Sequence, residues 1–344
     1  MNPPIPFTDI RRATGMIIPV WYPESTPASE MESLITACVA DSAPFAEPSH
    51  VLVVVDGAPA ALAAANRLQA QRRDFQVLAL ESNMGKGGAV AAGITQLLTD
   101  PSVQYLVTRD HDNDHLAQDT PNLVRLAARM VRALDTDLIA VIGRRASVHR
   151  HLGFSRGEFE WFMNEVAYGA ACFALARQGR VPSTQFTAAY EPVPDMQTGF
   201  KCYTRASAAL LVQALDQAEH LAPGLDVRRH GAEIPILVEL LLTGGALGEI
   251  SRLAYEHQPL TTYDLAGRIA VKGTVLTWTL QRAEIPLPAA RQLLVNAMAR
   301  RLLAKEEAGC RALVELSNWT LSRLAALRGQ TVQPVAAPAL ADYF

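Results

Sequence analysis

The chain is expected to fold as an α/β protein: a mostly parallel central sheet flanked by helices, followed by a helical C-terminal region. Three observations lead there. Short apolar runs recur at 16–20 (Met-Ile-Ile-Pro-Val), 51–55 (Val-Leu-Val-Val-Val), 77–80, 105–108 and 138–142. They are continuous rather than alternating, which suits strands covered by helices on both faces. Helical stretches lie between them at 29–40, 58–71, 88–98 and 120–134, the spacing of βαβ units.

The pattern then changes. Residues 158–176 read as an amphipathic helix with Trp161, Phe162, Val166 and Phe173. Residues 187–203 are mixed and Pro-containing, 206–217 are helical, 234–242 form a Leu/Ile-rich helix, and 248–255 read as a late strand. From 271 to 327 the chain is almost wholly helical in character, with Trp278 and Trp319 expected in a core or interface. The Pro/Ala-rich tail 329–344 is expected to be loose or a docking arm.

Composition narrows the function classes. The 344 residues are 49% hydrophobic and 19% charged, enough for a sizeable core and unlike a disordered chain. A formal net charge of −3 leaves no electrostatic footprint for nucleic acid. Cys38, Cys172, Cys202 and Cys310 are scattered with no CxxC or zinc spacing, as expected of reduced thiols. The N-terminus has no signal-peptide pattern and no window is apolar enough for a spanning helix, so a cytoplasmic protein without a transmembrane segment is expected.

Chemistry concentrates at the carboxyl ends of the expected strands, where ligands bind in open α/β sheets. After the run 105–108 come three carboxylates at alternate positions, Asp110, Asp112 and Asp114. Closely spaced acids repel and raise one another's pKa. A divalent cation relieves this, and Mg²⁺ prefers one or two carboxylates plus phosphate oxygens; the alternative is a solvated acidic loop with a helix N-cap. The segment 83–90 (Asn-Met-Gly-Lys-Gly-Gly-Ala-Val) follows a strand and opens a helix. Its glycines suit a close approach to phosphate, and Lys86 and the helix terminus supply positive potential; a plain tight turn is the alternative. It is not a Walker A loop, because Leu80 stands at the first glycine position and Gly87 follows Lys86. Asp56-Gly57 is either a turn and helix cap or a nucleobase acceptor. Arg144, Arg145, His149, Arg150, His151 and Arg156 form a basic stretch that is either a solvated loop or a cover over an acidic ligand.

Taken in order, Met-Ile-Ile-Pro-Val-Trp-Tyr-Pro-Glu, Val-Leu-Val-Val-Val-Asp-Gly, Asn-Met-Gly-Lys-Gly-Gly-Ala, Asp-His-Asp and Asp195-Met-Gln-Thr-Gly-Phe-Lys-Cys-Tyr-Thr-Arg205 resemble the motifs of GT-A fold glycosyltransferases of family two. The likeness is to polyprenol-phosphate sugar transferases. The stretch 231–237 with His257 is also similar to glucosyl-3-phosphoglycerate synthases. It covers residues 15–260.

The resemblance implies a GT-A fold catalytic domain, 1–260, that binds a nucleotide-diphosphate sugar, and a helical extension, 261–344. Pro19, Trp21 and Glu24 would border the nucleobase and Asp56 would accept from base or ribose. Lys86 with the Gly85 and Gly87 backbone would lie near the diphosphate, and Asp110 would contact the ribose. Asp112 would bind Mg²⁺ or Mn²⁺, with His257 as a further metal or diphosphate contact. Asp195 is the candidate general base and Glu233 the next; Lys201 stands where the lipid-phosphate enzymes carry Arg, keeping the charge without the bidentate fork. Two departures stand out: Arg109 intervenes before the first Asp, and Gly57 replaces a usual second acid. Asp112/Asp114 is an alternative register for the metal pair.

The function expected is therefore metal-dependent transfer of a hexose to a small-molecule or phosphorylated, soluble acceptor. The C-terminal helices would build the acceptor pocket or a homodimer interface. The alternatives are a sugar-phosphate nucleotidyltransferase, which would need an Arg/Lys-containing Gly-rich loop absent after residue 20, and a non-catalytic nucleotide-sugar-binding protein of the same fold.

Overall fold

A computed structural model describes residues 5–149, 153–188, 192–252 and 265–337. The chain opens with a short helix α1 (Phe7–Ala13), then β1 (Thr14–Val20), α2 (Ala28–Ser42), β2 (Val51–Asp56), α3 (Pro59–Arg72), β3 (Gln76–Leu80), α4 (Gly85–Leu97), β4 (Tyr105–Thr108), α5 (Thr120–Leu134) and β5 (Ile139–Arg144). There follow α6 (Phe154–Ala176), β6 (Ser183–Phe186), β7 (Lys201–Thr204), α7 (Arg205–Leu221), the single turn α8 (Val227–His230), α9 (Ile234–Leu242) and β8 (Ala246–Ser251). Three helices close the described chain: α10 (Leu265–Arg282), α11 (Leu287–Ala299) and α12 (Glu307–Leu327).

The eight strands form one sheet in the order β3-β2-β1-β4-β7-β5-β8-β6. Only β7 runs antiparallel, between β4 and β5. The expected α/β architecture, a mostly parallel sheet flanked by helices, is the one observed.

The continuous apolar strands are explained by what lies on each face. Along β1, Met16, Ile18 and Val20 join a cluster with α1, α2, α3 and α5, whereas Ile17 joins a second cluster with α4. Both faces are dry, so both side-chain sets are apolar. Residues of β3 are half-exposed instead, because β3 is an edge strand with one neighbour. Two strands were not foreseen. Ser-Thr-Gln-Phe and Lys-Cys-Tyr-Thr are short and polar, and become β6 and β7 only through the neighbours they pair with. The late strand begins earlier than expected, at Ala246, and residues 253–255 lie outside the described part.

The second cluster runs without interruption from the sheet through α6, α7 and α9 into α10, α11 and α12. Trp278 on α10 is buried in it, and Arg282 closes an ion pair with Glu239 of α9 at 2.5 Å. The C-terminal helices are thus packed into the sheet domain's own core. All four cysteines are free, with Cys38 and Cys202 buried. No described helix is long and apolar enough to cross a membrane.

Trp278→Ala is expected to cost about 3–5 kcal/mol, the usual range for truncating a buried aromatic. Urea unfolding followed by circular dichroism should show one transition moved to lower denaturant. Two transitions, only one of them shifted, would mean that the C-terminal helices fold separately.

Candidate active site

A cavity of about 350 Å³ opens where β4 ends. Lys86, Asp110, Asp112, Asp114 and Glu233 line one end, and α6 and α10 wall the other. It lies outside the carboxyl ends of the parallel strands, the place α/β sheets offer a ligand.

Lys86 projects from the first turn of α4 and is shared by two carboxylates. Its Nζ is 2.6 Å from Asp110 Oδ1 and 2.7 Å from Glu233 Oε1. Burial alone would lower the pKa of this ammonium, but the two carboxylates outweigh burial and raise it. In return, against desolvation by burial, the Lys86 ammonium pulls Asp110 below the ordinary carboxylate range. The glycines beside Lys86 also answer to a packing constraint. A Cβ on Gly85 would meet Arg229 and one on Gly87 would meet the Arg228 carbonyl, both at 2.2 Å. They let the 228–231 turn press against α4, while Lys86 itself reaches the cavity. Arg229 fastens that turn by donating to the Asn83 side chain and carbonyl.

The three acids after β4 have different neighbours. Asp114 is buried and takes Arg252 Nη2 at 3.1 Å. Asp112 accepts the Asp114 N–H and makes no ion pair among the described residues. Desolvation of its carboxyl, and then the charge of Asp110, hold its pKa above the ordinary value. His115 accepts the Asp110 N–H through Nδ1 and stacks on Phe200 at 5.4 Å. Burial, and then Arg252, drive its pKa well down, so the ring is neutral. His111 donates Nδ1–H to the Pro19 carbonyl and meets Tyr22 edge-on at 4.8 Å.

Arg109, a departure from the family pattern, turns away from the cavity. It is buried and binds Asp41 at 2.9 Å, the Ser42 hydroxyl and the Cys38 carbonyl on α2, and the His115 carbonyl. It fastens the acidic loop to α2. The other departure is forced by backbone: Gly57 has φ +61° and a Cβ there would lie 2.2 Å from the Asn83 nitrogen. Asp56 accepts the Met84 N–H at 2.7 Å, and so holds the 82–85 turn. Burial raises its pKa. Trp21 and Glu24 are exposed on the loop after β1, with Pro19 at its root. None of Pro19, Trp21, Glu24 and Asp56 lines the cavity.

Asp195, the first candidate for a general base, is committed elsewhere. It is buried, and Arg145 grips it through Nε at 2.8 Å and Nη2 at 2.6 Å with its backbone N–H at 3.1 Å. Despite desolvation, Arg145 holds its pKa at about 2. Such a carboxylate is a poor proton acceptor, and it does not line the cavity; Asp195 positions Arg145. Glu233, the second candidate, does face the cavity. Lys201 is buried beneath the site on β7 and donates to the Thr198 carbonyl. Burial lowers its pKa to about 8. His257, Arg150 and His151 lie outside the described residues. His149 is 2.7 Å from Glu158.

Among the described residues, no three His, Cys, Asp or Glu side chains are arranged to hold a metal ion. Asp110 and Asp114 already have cationic partners, which leaves Asp112. One carboxylate suits a Mg²⁺ or Mn²⁺ ion that arrives with phosphate oxygens, not a resident ion in a protein cage.

No family model matches the chain, and no curated protein matches it. Among solved structures it is similar to S. aureus TarS 1–349, at 12% identity and a TM-score of 0.39 over 93% of each chain. It is similar also to that fragment in complex with UDP-GlcNAc, at 13% identity and a TM-score of 0.40, and in complex with UDP, at 13% and 0.39, again over 93% of each chain. These likenesses carry no weight in assigning the roles of residues here.

Several cavity residues escaped the sequence reading: Glu160, His115, Arg252, Arg268 and Lys272. Arg252 follows the end of β8 directly, but the late strand was read as 248–255, which placed it inside the strand rather than at its end. Glu160, Arg268 and Lys272 sit on amphipathic helices and resemble any solvated charge there.

The buried Lys201 yields a pH test. Its folded pKa of about 8 lies below the ordinary lysine value of 10.5. Between these values the unfolded chain binds the proton and the folded one does not, so stability rises with pH. At pH 7 the folded state bears the full cost of charging the buried amine. Lys201→Met is expected to stabilise the fold at pH 7 by about 1–3 kcal/mol, a gain that shrinks from pH 8 to 10.5. Urea midpoints across pH 6–10 check this; a gain independent of pH would show that Lys201 is not desolvated as described.

Proposed function

We propose that this chain is a glycosyltransferase that moves a sugar from a nucleotide-diphosphate donor to an acceptor held in the same cavity. The observation that carries this reading is the junction of Lys86, Asp110 and Glu233, with Asp112 beside it, at the carboxyl end of β4. A diphosphate needs positive charge where it leaves, and an acceptor hydroxyl needs a carboxylate within reach. Both kinds of group stand at this end of one cavity, and the family-two motifs fall on the same residues.

In this reading Asp112 holds a Mg²⁺ or Mn²⁺ ion that comes with the donor. That ion would supply Lewis-acid neutralisation of the departing diphosphate. Lys86 supplies further positive charge. Its transfer from Glu233 to the diphosphate releases a carboxylate that faces the cavity. Glu233 then takes the proton of the acceptor hydroxyl as its oxygen bonds to the anomeric carbon. The sugar–phosphate bond breaks and the nucleoside diphosphate leaves with the electron pair. Exposed Trp21 offers the base a stacking surface beside β1, and Asp56 fixes the turn that carries Lys86.

A thermal-shift panel of nucleoside diphosphates with and without Mg²⁺ or Mn²⁺ identifies the base, since a ligand of the folded state raises its stability. Release of nucleoside diphosphate from the matching nucleotide sugar then reads turnover. Asp112→Asn is expected to lower turnover by at least about a hundredfold with an unchanged circular-dichroism spectrum. No turnover with any donor, together with unaltered nucleotide affinity in Asp112→Asn, would overturn the reading in favour of a different role for the fold.

A further inference from the structure

The acidic loop turns back on itself after β4. Asn113 takes φ +61°, a left-handed conformation that asparagine tolerates, and Asp112 accepts the Asp114 N–H across the turn. His115 is thereby returned over Asp110. Stacking on Phe200 fixes the plane of its ring, and the Asp110 N–H, donated to Nδ1 at 3.1 Å, fixes its tautomer. A neutral imidazole whose Nδ1 accepts a hydrogen bond carries its one proton on Nε2.

That Nε2–H is unspent. It lies 3.7 Å from Asp114 Oδ2 and 4.0 Å from Asp110 Oδ2, too far to bond to either, and Nε2 makes no hydrogen bond among the described residues. Asp114 Oδ2 already takes Arg252. The Asp110 carboxylate meets Lys86 through Oδ1 and presents Oδ2 to the ring. Asp110, His115 and Gly199 all line the cavity. Glycine keeps this corner open, since a Cβ at 199 would lie 2.4 Å from Asp110 Oδ2. His115 is only 3% exposed, and a donor shielded from water gains most from a ligand that satisfies it.

A donor and an acceptor side by side suit one kind of group. A hydroxyl accepts from an imidazole and donates to a carboxylate at the same time. A phosphate oxygen accepts from Nε2–H but is repelled by the carboxylates on either side. An ammonium donates to Asp110 but has nothing with which to accept. We propose that His115 is a specificity-determining residue, whose Nε2–H together with Asp110 Oδ2 recognises one hydroxyl of the ligand in this cavity. Lys86 keeps Asp110 ionised, so the carboxylate side of the contact is charge-assisted. The proposal rests on the transferase reading for the ligand: a nucleotide-diphosphate sugar presents the hydroxyls of its ribose and of its sugar, which share this chemistry.

Two substitutions separate the roles of the ring nitrogens. His115→Asn keeps an acceptor near the Nδ1 position and removes the Nε2–H, whereas His115→Gln carries an amide N–H to the Nε2 position. Isothermal titration of the full chain with UDP, ADP and GDP and with the matching nucleotide glucoses, in Mg²⁺, reads the effect. His115→Asn is expected to weaken at least one ligand about tenfold with an unchanged circular-dichroism spectrum, and His115→Gln to recover most of that loss. Weakened diphosphate binding assigns the hydroxyl to the ribose, and the diphosphate lacking that hydroxyl then loses nothing further on substitution. Weakening confined to the nucleotide glucose assigns it to the transferred sugar. Equal affinity in His115→Asn, or the same loss in His115→Asn and His115→Gln, overturns the proposal and leaves the transferase reading standing. No binding by any nucleotide or nucleotide sugar overturns both. Binding that depends on the Nε2–H in a chain that turns over no nucleotide sugar supports the hydroxyl seat and sinks the transferase reading.

Discussion

The top of the sheet is organised around one electrostatic constraint: three carboxylates lie between residues 110 and 114, directly after a buried strand. Two like charges about 4 Å apart at an effective dielectric near 20 cost about 4 kcal/mol, a large part of the net stability of a folded domain. The chain meets this with cations from distant parts of the sequence. Lys86 comes from α4, Arg252 from the end of β8, and Arg109 ties the loop backbone to α2. Each cation binds one element to β4, so the same contacts that make the acidic loop tolerable also assemble the cavity wall.

The antiparallel strand β7 belongs to this arrangement. Its insertion between β4 and β5 brings Gly199 against the first acid. A Cβ at 199 would lie 2.4 Å from Asp110 Oδ2, so the residue before Phe200 is glycine because a carboxylate occupies the space. Upstream of it, Asp195 is locked to Arg145 at the end of β5. With a folded pKa of about 2, that carboxylate stays charged, and its contribution to stability is present above pH 3.8 and fades only as pH falls through about 2. The floor of the cavity is therefore held rigid by an ion pair at any pH where the protein works, with Lys201 buried beneath it.

Much of this was legible in the sequence, for identifiable reasons. Strands such as 51–55 are read correctly because burial on both faces leaves no polar position to confuse the pattern. The acidic strand end and Lys86 are visible because charge beside a buried run has few bland explanations. What was hidden depends on tertiary contact. Strand β7 has no strand-like apolar signature. Gly85 and Gly87 resemble a phosphate cradle in sequence, but their small size answers to Arg228 and Arg229, far away in the chain. Asp195 stands out by position, yet its role depends on Arg145, and no local pattern shows which way a carboxylate will be paired.

The two ends of the cavity bear on the chemistry together. Of the carboxylates lining it, Asp110 is held by Lys86, Asp114 by Arg252, Glu160 by Arg145 and Arg156, and Glu233 by Lys86, while Asp112 has no ion pair among the described residues. A carboxylate committed to a cation is a weak proton acceptor, because protonation must first give up the ion pair. Asp110 and Glu233 share Lys86, so in the transferase reading moving that one lysine toward an arriving diphosphate would free Glu233. Proton transfer to Glu233 would then be coupled to donor binding.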